Sequence, residues 1–410
     1  MKYNTTTLPN GLRIIHLPAP GQQVLYCGYA IAAGTRHELP GEEGLAHLTE
    51  HTTFKGTERR TALQILNELE RVGGDLNAFT TKEHTVYYAA VLHEHALRAI
   101  RLLSDIVFSS TYPQAEVEKE IEVVCDEIES YNDSPSELIF DEFENLLFPA
   151  HPLGHNILGD SEQLHRYTSA DIRRFARRHY RPDNMVFFAY GDVLFERLLK
   201  AVENKERPAK DEECPAVSPP RSTATETALS GFPTEKNQHH QAHVMLGTRT
   251  FAADDERRMT LFLLNNILGG PGMNARLNLA LRERRGLVYT VESNMTTYSD
   301  TGTWAIYFGC DHEDVKHCLK LVNNQLQRVA RKPLSQRQLA AAKTQLKGQL
   351  AIASDNREQF ALDFARTYLH EGREYHLSEL FSRIDAVTAE GMQQLASELF
   401  APERLQLLVM

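Results

Sequence analysis

The chain has 410 residues, of which 42% are hydrophobic and 24% are charged. This is the composition of a globular protein, long enough for about two or three domains. The net charge of -11 argues against nucleic acid as the main partner, because phosphate binding needs basic patches. An acidic surface fits simple solvation, and it also fits the attraction of basic peptides.

Three features predict a cytoplasmic protein without a membrane partner. The N-terminal residues 1–6 lack the apolar core of a signal peptide. No apolar run approaches the ~20 residues that span a bilayer. The five cysteines are odd in number and widely spaced, without a Cys-x-x-Cys pair, so neither a disulfide framework nor a thiolate zinc site is expected. The cysteine usage therefore suggests a reducing compartment.

In the first half, strands are predicted before helices. Asn10-Gly11 is a turn signal at the start of the first strand, and alternating and helical apolar patterns follow it. Long helices are expected to about residue 180. The predicted elements before them are strands at 11–17 and 24–33, helices at 42–56 and 61–71, and strands at 75–81 and 84–92.

The helix predicted at 42–56 has two different faces. His47 and His51 lie one turn apart, and Glu50 falls with them within an arc of about 100°. Leu45 and Leu48 fall on the opposite side, where they can pack against a sheet. Two imidazoles from one helix suit Zn²⁺, and the order His-x-x-Glu-His is that of the inverted zinc peptidases. The same residues would also suit a solvated helix face.

A second helix carries carboxylates at the margin of a buried stripe. Glu120 and Glu127 lie two turns apart on one edge of that stripe, where partial burial would require a cation or a donor as partner. A charged surface helix is the alternative explanation. The stripe itself is formed by Val117, Ile121, Val124 and Ile128.

A boundary between two domains is predicted near the middle of the chain. Residues 204–225 are rich in proline and charge and have no apolar period, as is typical of a linker. We therefore predict an N-terminal domain at 1–203 and a C-terminal domain at 226–410.

The two halves share a pattern near their ends. Thr168 begins an amphipathic segment that is followed by Pro182 and a strand. Thr388 begins a similar segment that is followed by Pro402 and a strand. The offset is 220 residues without a gap, which suggests internal duplication.

The second half repeats the grouping of strands apart from helices. Strands are predicted near 241–250, 287–298 and 302–310, with helices between and after them. Such grouping indicates an α+β fold rather than alternating βαβ units.

Several ordered motifs carry a resemblance to a known family. The sequence resembles the pitrilysin and insulinase family of inverted zinc metallopeptidases, in the branch closest to mitochondrial processing peptidase. The matching segments of the first half are 47–51, 54–57, 73–80, 151–154 and 157–159. The resemblance implies two homologous domains, each an antiparallel sheet with helices packed on one face.

The resemblance also implies a ligand set and catalytic roles. The third zinc ligand of the family lies 76 positions after the second histidine, which is Glu127 here, and the accessory glutamate is Glu120. Zn²⁺ would therefore be held by His47, His51 and Glu127. Glu50 would act as general base, and Glu120 would support the site through a contact with a ligand.

Substrate contacts are implied in both halves. Asn77, Ala78 and Phe79 would form an edge strand that pairs with extended peptide, although Asn77 next to glycines also suits a turn. Arg282 and Tyr289 match a pair that contacts substrate near the zinc in active family members. Spacing alone would equally allow an arginine near a helix C-terminus and an ordinary strand aromatic.

The resemblance implies a zinc endopeptidase that acts on peptides or unfolded segments enclosed in a chamber. Because family members with four such domains close them around the chamber, a chain with two is expected to form a homodimer. Two alternatives stay open: a non-catalytic structural subunit, like the core proteins of the respiratory cytochrome complex, and one half of an obligate heteromeric peptidase.

Overall fold

The computed structural model describes residues 2–203 and 240–410. The predicted linker at 204–225 lies outside the described residues, so the predicted domain boundaries stay a prediction. Within the described residues, no helix is long and apolar enough to cross a membrane.

Strands and helices occur in blocks along the described chain, as the sequence predicted. The strands are β1 (Asn4–Thr7), β2 (Arg13–Pro18), β3 (Val24–Ile31), β4 (Asp75–Thr80), β5 (Thr85–Leu92), β6 (Met185–Gly191), β7 (Ala242–Thr250), β8 (Val288–Thr297), β9 (Gly302–Cys310) and β10 (Gln406–Val409). The helices are α1 (Leu45–Thr53), α2 (Ala62–Glu70), α3 (Ala96–Ser109), α4 (Gln114–Asn132), α5 (Pro135–Leu147), α6 (Ser161–Leu164), α7 (Ser169–His179), α8 (Phe195–Glu203), α9 (Arg258–Gly269), α10 (Val315–Arg331), α11 (Gln336–Ala353), α12 (Arg357–Glu371), α13 (Leu377–Ala386) and α14 (Ala389–Leu399). A short π-helical segment, Asn278–Glu283, precedes β8.

The first compact unit contains a six-stranded sheet in the order β1-β2-β6-β3-β5-β4. Its pairings are antiparallel except for β2 with β6, which run parallel. The central strands are nearly continuous apolar runs because both faces of the sheet are covered. Helix α12 covers one face, where Phe364 packs edge-on against Phe188 of β6 with ring centres 6.2 Å apart. The larger core on the other face includes residues of α1 to α4.

The second compact unit contains a four-stranded antiparallel sheet in the order β10-β7-β9-β8. This order repeats the part β6-β3-β5-β4 of the first sheet. Helix α5 covers one face, where Phe140 packs on Tyr307 with ring centres 5.1 Å apart. On the other face Trp304 packs against Phe400, at the end of α14, with ring centres 4.5 Å apart.

Each unit takes one helix from the opposite half of the sequence. Helix α5 lies in the first half of the sequence but belongs to the second unit, and α12 lies in the second half but belongs to the first unit. The two helices occupy equivalent places in the two units. Each covers a second face of its sheet, whereas helices were predicted on one face only. The α+β fold class is confirmed, and the parallel pair and the exchanged helices are additions to it.

Candidate metal centre

The start of α1 is fixed by a close backbone approach and by a buried carboxylate. Gly44, immediately before the helix, has a φ of 86°, and a Cβ added there would lie 2.8 Å from the Cα of Gly159. Only glycine fits such a position without strain. The carboxylate of Glu38 accepts from the backbone N–H groups of Gly44 at 3.2 Å and Ala46 at 2.7 Å. A carboxylate here accepts from backbone N–H groups that have no partner within the helix, and its charge suits the helix dipole. The following turn is therefore firmly held.

The three residues predicted to bind a metal lie together. His47, His51 and Glu127 each offer a ligand atom, and these atoms lie within 4.8 Å of one another. The Nε2 atom of His51 is 3.7 Å from Oε2 of Glu127, on α4. On the far side of α1, Leu45 and Leu48 are completely buried in the core. The packing of that apolar side turns the imidazoles toward α4.

The donor set fits a zinc ion. Burial, and secondarily the neighbouring His51, lowers the pKa of His47 to about 3, so this imidazole is neutral at physiological pH. Its Nδ1 atom is buried and has no hydrogen-bond partner among the described residues, an arrangement that is costly without a cation or another polar group. Two imidazoles and one carboxylate are ligands that Zn²⁺ accepts in catalytic sites.

Glu120 contacts one of these histidines from α4. Its Oε2 atom accepts from Nδ1–H of His51 at 3.3 Å, and its Oε1 atom accepts from Nζ of Lys55 at 2.6 Å. Burial alone would raise the pKa of Glu120, but the bonds from His51 and Lys55 outweigh it, so the pKa is lowered and the carboxylate is ionised. Burial alone would lower the pKa of His51. The hydrogen bond to Glu120 and the charges of the surrounding carboxylates outweigh burial, so the pKa is raised.

Glu50 lies beside the triad and is itself buried. Its pKa is raised, mainly by burial, although a hydrogen bond from Thr80 and the charge of His51 oppose the shift. The hydroxyl of Thr80, at the end of β4, donates to Oε2 of Glu50 at 2.6 Å. A buried carboxylate with a raised pKa in this position is suited to accept a proton. Thr80 and Lys55 lie in the matching segments 73–80 and 54–57, but no pattern in the sequence indicates a role for either residue.

The predicted substrate strand is at the edge of its sheet. Asn77, Ala78 and Phe79 lie in β4, which pairs with β5 on one side and is the last strand in the sheet order. Such a strand has free backbone groups that an extended peptide can pair with. The turn that was the alternative for Asn77 is not observed. Peptide pairing itself stays a prediction.

Arg282 and Tyr289 lie in the second compact unit. The guanidinium of Arg282 is 5.9 Å from the ring centre of Tyr289, within reach of a cation–π contact. Arg282 is the second-last residue of the π-helical segment, and Tyr289 is the second residue of β8, with its side chain 81% exposed. These positions suit a substrate contact, a residue near a helix end and a strand aromatic alike, so their role stays a prediction.

Comparison with known proteins relates both halves of the chain to one family. Residues 13–161 match the family described as Insulinase (Peptidase family M16), and residues 166–346 match the Peptidase M16 inactive domain. The first match includes α1 and α4, and the second includes Arg282 and Tyr289.

Relatives and solved structures extend the match over nearly the whole chain. The uncharacterized zinc protease YmxG of Bacillus subtilis is 33% identical over 399 residues, covering 97% of this chain and 95% of that protein. An uncharacterized zinc protease of Streptomyces coelicolor is also 33% identical, covering 96% and 86%. The crystal structure of a protease from Helicobacter pylori shares the fold with a TM-score of 0.92 at 21% identity, covering 100% and 99%. The chain therefore belongs to the insulinase family of M16 peptidases.

Proposed function

We propose that the protein is a zinc-dependent endopeptidase that hydrolyses peptides or unfolded segments. The observation that carries this proposal is the meeting of His47, His51 and Glu127 within 4.8 Å, with the buried carboxylate of Glu50 beside them. The names of the relatives support it, because those proteins are described as zinc proteases. The resemblance to the mitochondrial processing peptidase branch stays a prediction.

In the proposed mechanism His47, His51 and Glu127 hold the zinc. When bound, zinc supplies Lewis-acid catalysis. Glu50 accepts a proton from the attacking water and passes it to the leaving amine. Thr80 binds one oxygen of Glu50, so the other oxygen is left for that proton.

Substrate binding is proposed at two places. The free edge of β4, which carries Asn77, Ala78 and Phe79, would pair with the backbone of an extended peptide. Arg282 and Tyr289 would donate to the substrate carbonyl as negative charge develops on its oxygen. Backbone pairing recognises an extended segment largely independently of its sequence, so the proposed substrate class is peptide or unfolded chain.

The test is peptide hydrolysis by the purified protein with and without a metal chelator. A mixed peptide substrate analysed by mass spectrometry should show internal cleavage that the chelator stops and added zinc restores. Glu50→Gln protein is the matched control, since it keeps the metal ligands and loses the proposed base. Chelator-resistant cleavage, or equal cleavage by the Glu50→Gln protein, would contradict the proposal. No cleavage by zinc-loaded protein would favour the two alternatives, a non-catalytic structural subunit or one half of an obligate heteromeric peptidase.

We also propose that the active form is a homodimer in which Arg282 and Tyr289 of one copy contact the substrate at the metal group of the other copy. The metal group consists of His47, His51 and Glu127. Inactive Glu50→Gln chains are mixed with inactive Arg282→Ala chains under conditions of verified subunit exchange. A mixed dimer would then have one site with both defects and one with neither, so activity should return. If none returns, or if the active protein sediments as a monomer, the shared site is wrong.

A further inference from the structure

A lysine that follows α1 is joined to the metal group through a buried carboxylate. Lys55 comes one turn after His51, and its Nζ atom lies 2.6 Å from Oε1 of Glu120. The other oxygen of Glu120, Oε2, accepts from Nδ1–H of His51 at 3.3 Å. Only 9% of the Glu120 side chain and 29% of the Lys55 side chain is exposed. The ammonium, the carboxylate and the imidazole thus form one continuous chain of contacts.

We propose that Lys55 is a positioning residue for the zinc site. It holds one oxygen of Glu120, so that the other oxygen faces Nδ1 of His51. With Nδ1–H engaged in this way, Nε2 of His51 is left free beside Glu127 as a metal ligand. This inference rests on the proposed zinc site and adds a residue outside the ligands and the base.

The contact with Lys55 orients the carboxylate of Glu120. A carboxylate with only one hydrogen-bond partner can rotate about its terminal bond, and its two oxygens are then interchangeable. In Glu120 both oxygens have a partner of different chemistry, a lysine on Oε1 and a histidine on Oε2. The lysine therefore fixes which oxygen meets His51, and with it the orientation of the ring.

Lys55 also balances negative charge near Glu120. Three carboxylates, those of Glu50, Glu120 and Glu127, surround His51. Carboxylates gathered in a partly buried place repel one another and need cations nearby. One ammonium from Lys55 and one divalent cation together balance three carboxylates. Without Lys55 the same cluster would keep an uncompensated negative charge on Glu120, next to the histidine that it orients.

The alternative is that Lys55 is an ordinary cation near the C-terminus of α1, where the helix dipole favours positive charge. That role would stabilise the fold without affecting the metal. A matched control on α4 separates the two roles. Lys119 forms an ion pair of the same length with Glu116, 2.6 Å, but its side chain is 67% exposed and Glu116 is not among the residues around the metal group.

The experiment measures the zinc affinity of the full-length apoprotein by competition with a chromogenic chelator. Lys55→Met should weaken zinc binding by about 10- to 100-fold, the usual effect of removing a group that supports a ligand. Lys55→Arg, which keeps the charge and the donors, should restore most of the affinity. Lys119→Met should bind zinc like wild type. Wild-type affinity in the Lys55→Met protein would overturn the inference.

A double-mutant cycle with Glu120→Gln tests whether Lys55 acts through Glu120. If it does, the double variant should bind zinc no more weakly than Glu120→Gln alone. Independent, multiplying losses would overturn the inference. If the Lys55→Met protein does not fold, Lys55→Gln enters the same cycle, with thermal unfolding of the apoprotein as the check.

His51→Ala separates this inference from the proposed function. If that variant also keeps wild-type zinc affinity, the zinc site itself is wrong. If it loses zinc while Lys55→Met does not, only the role of Lys55 is wrong.

Discussion

The two compact units contain equivalent helices with different charges. Helix α4 in the first unit and α11 in the second each follow a long amphipathic helix and precede an exchanged helix. Val117 and Val124 are buried in α4, as Leu339 and Leu346 are in α11, with the same spacing.

Aligning these buried positions pairs the carboxylates of the first unit with uncharged residues of the second. Ala342 then corresponds to Glu120, and Gln349 corresponds to Glu127. Among the described residues, the metal-capable group of His47, His51 and Glu127 lies wholly in the first unit. The buried stripe thus sets the helix in its place, while the residues at its margin determine whether the helix can carry chemistry.

The largest effect is expected from removing a metal ligand in the first unit. His51→Ala should lose most of its zinc and with it peptide hydrolysis, because one nitrogen donor and its contacts with Glu120 and Glu127 disappear. Elemental analysis of protein purified without added metal measures the zinc, and peptide cleavage measures the activity. Gln349→Ala, at the position of the second unit that corresponds to Glu127, should keep both. Full zinc content in the His51→Ala protein would refute the ligand assignment.

A loss of activity without a loss of metal is expected from Glu50→Gln. The variant should bind zinc and fold like wild type, while hydrolysis falls by a factor of at least about 10² because the general base is gone. Zinc content, thermal unfolding and the rate of peptide cleavage are measured together. Cleavage at the wild-type rate would show that Glu50 is not the base.

A smaller loss is expected from Thr80→Val. The hydroxyl bond to Glu50, 2.6 Å long, fixes the carboxylate, and a hydrogen bond to a charged group contributes about 1.5–3 kcal/mol. The maximal rate should fall by about 10- to 150-fold, with the zinc content and KM little changed. Thr80→Ser keeps the hydroxyl and should retain most of the activity. An equal loss in both variants would point to packing rather than to the hydrogen bond.

The smallest effect is expected in the pH dependence of the free energy of unfolding. It arises from a difference between the contacts that the exchanged helices α12 and α5 make with their sheets. Nε2 of His370, on α12, lies 3.3 Å from Nδ1 of His84 at the first sheet, whereas α5 contacts the second sheet through Phe140 and Tyr307. Burial, and then the charges of His370, Arg366 and His37, lowers the pKa of His84 to about 3. Burial also lowers the pKa of His370.

The direction of the pH dependence of the free energy of unfolding follows from the lowered pKa values of His84 and His370. In the unfolded chain His84 binds a proton below about pH 6.5, whereas in the folded chain it stays neutral until the pH is much lower. The free energy of unfolding is therefore undiminished by His84 above about pH 6.5. Below that it falls by up to about 1.4 kcal/mol per pH unit for each such histidine, until the pH reaches the folded pKa. Denaturant unfolding at pH 7.5 and 5.5 should show a smaller difference for His84→Gln than for wild type. An unchanged difference would contradict the assignment of this slope to His84.

Helical periodicity is enough to predict the local half of the metal site. Because an α-helix has about 3.6 residues per turn, His47, Glu50 and His51 had to share one face, and Leu45 had to face the core. The same period placed Glu120 and Glu127 on one edge of α4. The resemblance to the family then connected the two helices, which no spacing within either helix could do.

The contacts between distant parts of the chain depend on the packing of the whole unit. The contact of Lys55 with Glu120 and that of Thr80 with Glu50 join residues far apart in sequence. So do the parallel pairing of β2 with β6 and the exchange of α5 and α12 between the units. Local periodicity specifies which face of an element is apolar, but it does not specify which partner covers that face. The partner is fixed by the packing of the whole unit, because several apolar faces compete for each sheet.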